Sequence, residues 1–158
     1  MNNESTLIEF NRLPGNYIRR LQQIAVAIFL QETEAHAVTP VQFAALQSVL
    51  GTPNMDQRTL AAAIGQDAST TTGVIDRLEA RGLLQRRPSP TDRRARCLTI
   101  TEQGRRLLNQ VAPAVLRAQA LLLEPLSENE QVQFMHLAEK LVNGNNDLSR
   151  APRKHPAD

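Results

Sequence analysis

The middle of this chain contains two short helical patterns joined by a tight turn, and this pairing restricts the fold more than any other feature. Residues 57–64 and 68–81 carry apolar side chains at helical spacing: Leu60, Ala61 and Ile64, then Val74, Ile75 and Leu78. Gly65 suits the left-handed position after the first helix, and Asp67 is a favourable N-cap for the second. Two helices with such a small apolar seam are typical of a helix-turn-helix, which leaves one face of the second helix exposed.

Two β-prone stretches follow at once, residues 83–86 and 97–100, with a proline- and arginine-rich loop between them. From residue 81 to residue 96 there are six arginines and one acidic residue, a local charge of 6 − 1 = +5, whereas the net charge of the chain is only +2. Such a block predicts that one element contacts a polyanion, although the basic loop alone is equally explained as a solvated surface. Together with the helix pair, the pattern predicts a helix-turn-helix with a β-hairpin wing.

Amphipathic helices are predicted on both sides of this region, at residues 16–34, 40–50, 102–123 and 128–142. Aromatic residues make up only 3% of the chain, so its core must be aliphatic, which favours helices. Pro113, inside the fifth helix, is expected to bend it. The predicted fold is mainly α with a small β-hairpin wing: a winged helix-turn-helix with long dimerisation helices.

Five parts of the chain are expected: an N-terminal arm (1–15), first dimerisation and ligand-pocket helices (16–53), a winged helix-turn-helix (54–101), C-terminal dimerisation helices (102–143) and a flexible tail (144–158). The apolar stripes of the outer helices have no evident partner inside a small winged region. We therefore expect two copies to bury these stripes against each other. Such pairing would place two recognition helices roughly 34–36 Å apart, about one turn of DNA.

The second helix of the pair begins with four hydroxyl residues that are predicted to be exposed: Ser69, Thr70, Thr71 and Thr72. Hydroxyl side chains are unfavourable inside a helix, but at the start of a recognition helix they can bond base edges and phosphates. Arg77 lies seven residues after Thr70, on the same face, and is predicted to bind a guanine edge or a phosphate. The alternative is a helix cap next to a surface arginine.

The tip of the predicted wing carries Asp92, Arg93 and Arg94. Arginine suits a narrow minor groove, where the negative potential of DNA is enhanced. We therefore predict that Arg94, or Arg93, enters the groove. Asp92 is expected to support the wing by pairing with an arginine or by capping the turn.

Several classes of function are not indicated. No apolar run is long enough to cross a bilayer and no signal peptide is evident, so a cytoplasmic protein is expected, without membrane contact. The single cysteine and three widely spaced histidines predict no metal site, and no cofactor is predicted. Because phosphate loops, nucleophile elbows and paired carboxylates are not evident, we do not expect an enzyme.

The sequence resembles the MarR family of bacterial regulators over nearly its whole length. The matching segments are Leu60-Ala61, the Ser/Thr helix start, Asp76-Arg77-Leu78-Glu79, Arg81-Gly82-Leu83-Leu84, Asp92-Arg93-Arg94, Leu98-Thr99 and Thr101-x-x-Gly104. The resemblance implies a triangular homodimer that pairs through the first and the last two helices. It also implies binding to a pseudo-palindromic site in double-stranded DNA, more often as a repressor than as an activator.

Residues 14–21 and 38–43 are similar to the branch of that family that controls aromatic-acid catabolism. This similarity implies release from DNA by a small aromatic carboxylate, bound between the dimerisation helices and the winged region. Arg20 would hold the carboxylate, Phe43 would stack on the ring, His36 would donate a hydrogen bond, and Asn16 belongs to the same predicted site. The alternatives are a surface or ion-paired arginine, a core phenylalanine and a helix-end histidine.

Two other functions remain as alternatives. A redox-sensing regulator would use Cys97, but this cysteine alternates with Leu98 and Ile100 in a predicted strand, which indicates packing. A protein-interaction module on a winged-helix scaffold would need neither the Ser/Thr helix start nor the arginines of the wing tip.

Overall fold

The structure is a computed structural model that describes residues 9–92, 94–149 and 152. Over these residues it contains helices α1 (Pro14–Glu32), α2 (Pro40–Gly51), α3 (Gln57–Ile64), α4 (Ala68–Ala80), α5 (Glu102–Leu123) and α6 (Glu128–Gly144). Strands β1 (Leu84–Pro88) and β2 (Arg96–Ile100) form an antiparallel hairpin in which Leu84 faces Ile100 and Pro88 faces Arg96. The predicted mainly α fold with a hairpin wing is confirmed.

Side-chain caps fix the starts of three helices, among them the predicted cap at Asp67. Thr39 and Gln42 form a reciprocal capping box at α2, and the Asp67 carboxylate accepts a 2.7 Å hydrogen bond from the backbone N–H of Thr70 at α4. At α3, hydrogen bonds from Thr59 hold the pKa of the Asp56 carboxyl below its ordinary value. The stabilisation from this cap is therefore present at neutral pH and is lost as the pH falls through the lowered pKa.

Some boundaries differ from the predictions. The arm was predicted to extend to residue 15, but α1 already begins at Pro14, because proline is suited to the first helical position, where its N–H is not needed. Strand β1 runs from Leu84 to Pro88 rather than over residues 83–86. Of the predicted tail, the described residues include a 3-10 turn, Asn146–Leu148.

The larger core lies inside the winged region. It joins α2, α3, α4, the hairpin and the start of α5, and its members are Ala45, Leu46, Val49, Met55, Leu60, Val74, Ile75, Leu78, Leu83, Leu84, Leu98, Ile100 and Leu108. The predicted boundary between residues 53 and 54 therefore falls within one core. Helix α2 packs mainly with the winged region, against α3 and β2, and less extensively with α1.

A second, smaller core joins α1 to α5 through Phe29, Val38, Val111 and Val115. Phe43 packs against both cores, and its ring lies 6.1 Å from that of Phe29. Helix α5 contributes to both cores and so connects the outer helices to the winged region. Among the described residues, no helix combines the length and apolar character needed to cross a membrane.

The hairpin returns to α5 through a close junction. The Thr101 hydroxyl donates to the carbonyl of Gly82 at 2.7 Å and accepts from the N–H of Gly104 at 3.0 Å. Gly82 has a φ of +68°, which turns the chain from α4 into β1. This junction explains the Thr101-x-x-Gly104 pattern and sets the wing against the start of α5.

Candidate nucleic-acid interface

Five of the seven residues predicted to contact DNA lie on α4, and three of these five are on its exposed face. Ser69, Thr70 and Arg77 are exposed on it. Thr72 is half-buried, and its hydroxyl donates to the carbonyl of Ala68 at 2.9 Å and accepts from the side-chain amide of Gln57. Thr72 therefore also links α4 to the first residue of α3, which orients the two helices of the pair.

Thr71 differs from the other three hydroxyl residues. It was predicted to be exposed, and this prediction is wrong, because its side chain is 0% exposed and its hydroxyl donates to the carbonyl of Asp67 at 2.8 Å. Thr71 lies three and four residues before Val74 and Ile75, so helical periodicity places it on their inward stripe. A side chain buried in this way cannot reach a base edge.

Gly73 lies between Thr70 and Arg77 along α4, on the side of the helix that carries these residues, and is itself half-buried. The guanidinium of Arg77 folds back towards it, with Nη2 3.8 Å from the place where a Cβ of residue 73 would be. This side of α4 thus carries hydroxyl groups at its first turn and an arginine two turns later, and between them Gly73 has no side chain.

At the wing tip, Asp92 organises the turn. Its carboxylate accepts a 2.9 Å hydrogen bond from the backbone N–H of Arg94, and its carbonyl accepts one from Ala95 at 3.0 Å. This is the turn-capping geometry that was one of the two predictions for Asp92. The Arg94 side chain is exposed, whereas Arg93 lies outside the described residues.

Arg86 joins the wing to α4, a contact that the sequence analysis did not predict. Its guanidinium pairs with Asp76 at 2.5 Å and also with Glu79, and its backbone N–H donates to Glu79 at 3.0 Å. The hydrogen bond to Asp76 holds the pKa of Arg86 above its ordinary value. One signal was available: Asp76 and Glu79 are three residues apart on α4, so they share a face that one arginine fork can span.

The basic block therefore contains arginines with different surroundings. Arg81 donates to the carbonyls of Ala37 at 2.7 Å and His36 at 3.3 Å, so it connects the end of α4 to the segment after α1. Arg86 is paired with two acids. The described part of the block therefore presents positive charge to solvent through four exposed arginines, Arg81, Arg87, Arg94 and Arg96.

Within one protomer, the structure does not bring the four predicted ligand residues into one cluster. Asn16 is buried and accepts from Arg19 at 3.1 Å, while Arg20 is exposed on the next turn of α1. Phe43 packs against Phe29 near the other end of α1, and His36 lies in the turn after it. There is a shallow cleft of about 200 Å³ beside Arg81 and another of about 220 Å³ beside Val38, and none of the four residues lines either one.

Cys97 is buried in β2 at 2% exposure, and its thiol lies 3.7 Å from both the Asn54 side-chain oxygen and the Pro88 carbonyl. Oxidation of a sensing thiol requires access to solvent, so this placement favours packing over redox sensing.

Comparison with known proteins agrees with this architecture. The model of the MarR family matches residues 38–95. The chain is 30% identical to the transcriptional repressor NicR of Pseudomonas putida over 139 residues, which cover 88% of each chain.

Two solved structures have the same fold. Bordetella bronchiseptica BpsR, whose DNA binding is regulated by 6-hydroxynicotinic acid, is 30% identical, with 86% of this chain and 97% of that chain covered and a TM-score of 0.81. The transcriptional repressor CouR, bound to a 23-mer DNA duplex, is 28% identical, with 87% and 99% covered and a TM-score of 0.79. By its winged helix-turn-helix and by these similarities, the chain belongs to the MarR family of transcriptional regulators.

Proposed function

We propose that this protein is a homodimeric repressor that binds a pseudo-palindromic DNA site through α4 and the wing, and that a small aromatic carboxylate releases it. The observation that carries the proposal is the pairing of Arg86 with Asp76 and Glu79. This pairing holds an exposed hydroxyl and arginine face on α4 beside an exposed arginine wing. A helix for the major groove and arginines for the adjacent backbone or minor groove are thereby presented together.

The outer helices support the homodimer. Helix α6 has no buried residue among those described, and large apolar side chains are exposed on it, including Val132 at 71% and Leu141 at 59%. The apolar stripe of α1 is also exposed, with Tyr17 at 55% and Ile18 at 59%. Burial against another apolar surface would stabilise these two exposed stripes, and a second copy of the chain supplies such a surface.

Salt-dependent DNA binding tests the proposal. We expect the affinity for a duplex selected by the protein from a random library to fall steeply as salt rises, because arginines that bind phosphates release counterions. Replacing Arg94 with alanine should weaken binding by about tenfold and lower the salt slope by about one. Fluorescence anisotropy titrations at several salt concentrations measure both quantities.

Arg106→Ala is the matched control, because Arg106 is an exposed arginine that lies on α5, outside α4 and the hairpin, and pairs with Glu102 of the same helix. It should leave both the affinity and the salt slope unchanged. A flat salt dependence of the wild-type protein, or equal effects of the two substitutions, would contradict the DNA-binding proposal.

For the effector, the support is the position of Arg20 on the exposed stripe of α1. Tyr17, Ile18 and Leu21 are exposed around it, so a second copy that covers this stripe would also enclose the guanidinium. An enclosed guanidinium needs an anionic partner, and a bidentate carboxylate fits it. The carboxylate proposed here is therefore held at a site that dimerisation completes.

Replacing Arg20 with alanine should abolish the release of DNA by aromatic acids while leaving the affinity for DNA itself unchanged. A thermal-shift panel of aromatic carboxylates, including 6-hydroxynicotinic acid, identifies the acids that bind, since a ligand that binds only the native state raises Tm. Arg12→Ala is the control, because Arg12 is exposed and pairs with Glu9 outside α1. A normal response of the Arg20 variant would remove Arg20 from the ligand site.

A further inference from the structure

Gly73 occupies an unusual place for a glycine. It lies in the interior of α4, three residues after Thr70 and four residues before Arg77, on the face that the proposed function turns towards DNA. Glycine inside a helix destabilises it relative to alanine, because the unfolded chain loses more conformational freedom on folding. Its presence at the centre of a recognition helix therefore requires a reason.

Nothing within the described residues requires a glycine at this position. Its φ is not positive, unlike those of Gly65 and Gly82, which turn the chain at helix ends. A Cβ at residue 73 would meet only Nη2 of Arg77, at 3.8 Å, which is an ordinary van der Waals distance to the end of a flexible side chain. At Gly104, by contrast, a Cβ would lie 2.2 Å from the carbonyl oxygen of Leu83.

The missing side chain instead leaves a notch on the outer surface of α4. Exposed hydroxyls of Ser69 and Thr70 flank it on one side, and the guanidinium of Arg77 flanks it on the other. Glycine is the usual residue where a backbone must approach a ligand closely. In the major groove, the groups that project towards a recognition helix are base edges, including the methyl group of thymine.

We propose that Gly73 determines DNA specificity: the notch admits one base-pair edge to the backbone of α4, so that the hydroxyls and Arg77 reach the bases on either side of it. This inference rests on the proposed DNA binding through α4. A side chain at residue 73 would hold the helix away from the bases without disturbing the protein itself.

The test is Gly73→Ala, measured by thermal denaturation and by binding to two duplexes. One duplex is the site that the wild-type protein selects from a random library, and the other is a scrambled sequence of the same length. We expect Tm to rise by about 2–4 °C, since alanine favours the helix. Affinity for the selected site should fall about tenfold or more, the size of a lost base contact, while affinity for the scrambled duplex changes less than about twofold.

Gly51→Ala is the matched control, because Gly51 is also helical, has no atom within 4 Å of a built Cβ, and lies in α2. Its two DNA affinities should be unchanged. Three results would overturn the inference: wild-type specificity of the Gly73 variant, a lower Tm, or equal weakening on both duplexes, which would indicate contact with the DNA backbone instead of a base edge.

The two proposals fail separately. If the wild-type protein selects no duplex, or if Arg94→Ala does not weaken binding, the proposed DNA-binding function itself is wrong. If the wild-type protein selects a site and Arg94→Ala weakens binding while Gly73→Ala does not, only the inference about Gly73 is wrong.

Discussion

Replacing Gly104 with alanine is expected to lower the free energy of unfolding by about 3 kcal/mol, because the new methyl group would overlap backbone. A Cβ at this position lies 2.2 Å from the carbonyl oxygen of Leu83 and 2.8 Å from Cγ1 of Ile100. The carbonyl cannot rotate away, since it accepts a 3.1 Å hydrogen bond from the N–H of Thr101. The start of α5 would have to move from the hairpin, which opens the larger core.

Chemical denaturation at equal protein concentration measures this loss, because the unfolding of the proposed dimer would depend on concentration. Gly51→Ala again serves as the control, since it adds the same methyl group in open space and should be neutral or slightly stabilising. A Gly104 variant as stable as the wild type would show that the close approach of α5 to Leu83 is not required for folding.

Replacing Arg86 with methionine is expected to reduce DNA affinity by about tenfold or more, a larger effect than its effect on stability. The substitution removes the side-chain link between the wing and α4, and it leaves Asp76 and Glu79 without the arginine on the helix that is proposed to approach phosphates. The backbone N–H of residue 86 can still donate to Glu79. The acids remain 58% and 38% exposed, so solvent screens the pairs and unfolding should change by only about 1 kcal/mol.

A rescue experiment separates repulsion from loss of wing position. Adding Asp76→Asn and Glu79→Gln to the Arg86 variant removes the two unpaired charges, and it should restore part of the affinity. Arg86→Lys should be intermediate, because an ammonium keeps the charge but cannot bridge two carboxylates as a guanidinium does. If the Arg86 variant binds DNA like the wild type, the link between α4 and the wing does not control DNA binding.

The predicted helices and their caps were accurate because their causes are local. The period of apolar residues, Asp67 as an N-cap and Gly65 in the left-handed conformation all act within a few residues of the chain. The prediction that the whole Ser/Thr run is exposed was wrong at Thr71, because it treated the four residues as one unit. Helical phase, applied residue by residue, places Thr71 with Val74.

The partners of the arginines could not be predicted in the same way. Arg86 pairs with acids seven and ten residues earlier, and Arg81 donates to carbonyls 44 and 45 residues away. A count of charges along the chain treats these arginines as equal, whereas the fold engages both in intramolecular hydrogen bonds. The placement of α2 in the winged core is similarly a matter of packing between distant segments.

The residue pattern was sufficient to predict the two helices of the helix-turn-helix, the wing that follows them and the amphipathic outer helices, because each depends on spacing and on turn chemistry over short distances. The packed structure was needed to show which arginines are exposed to solvent, why Gly104 must be glycine, and that the Arg86 side chain links the hairpin to α4. These features depend on atoms that meet only when separate segments pack together.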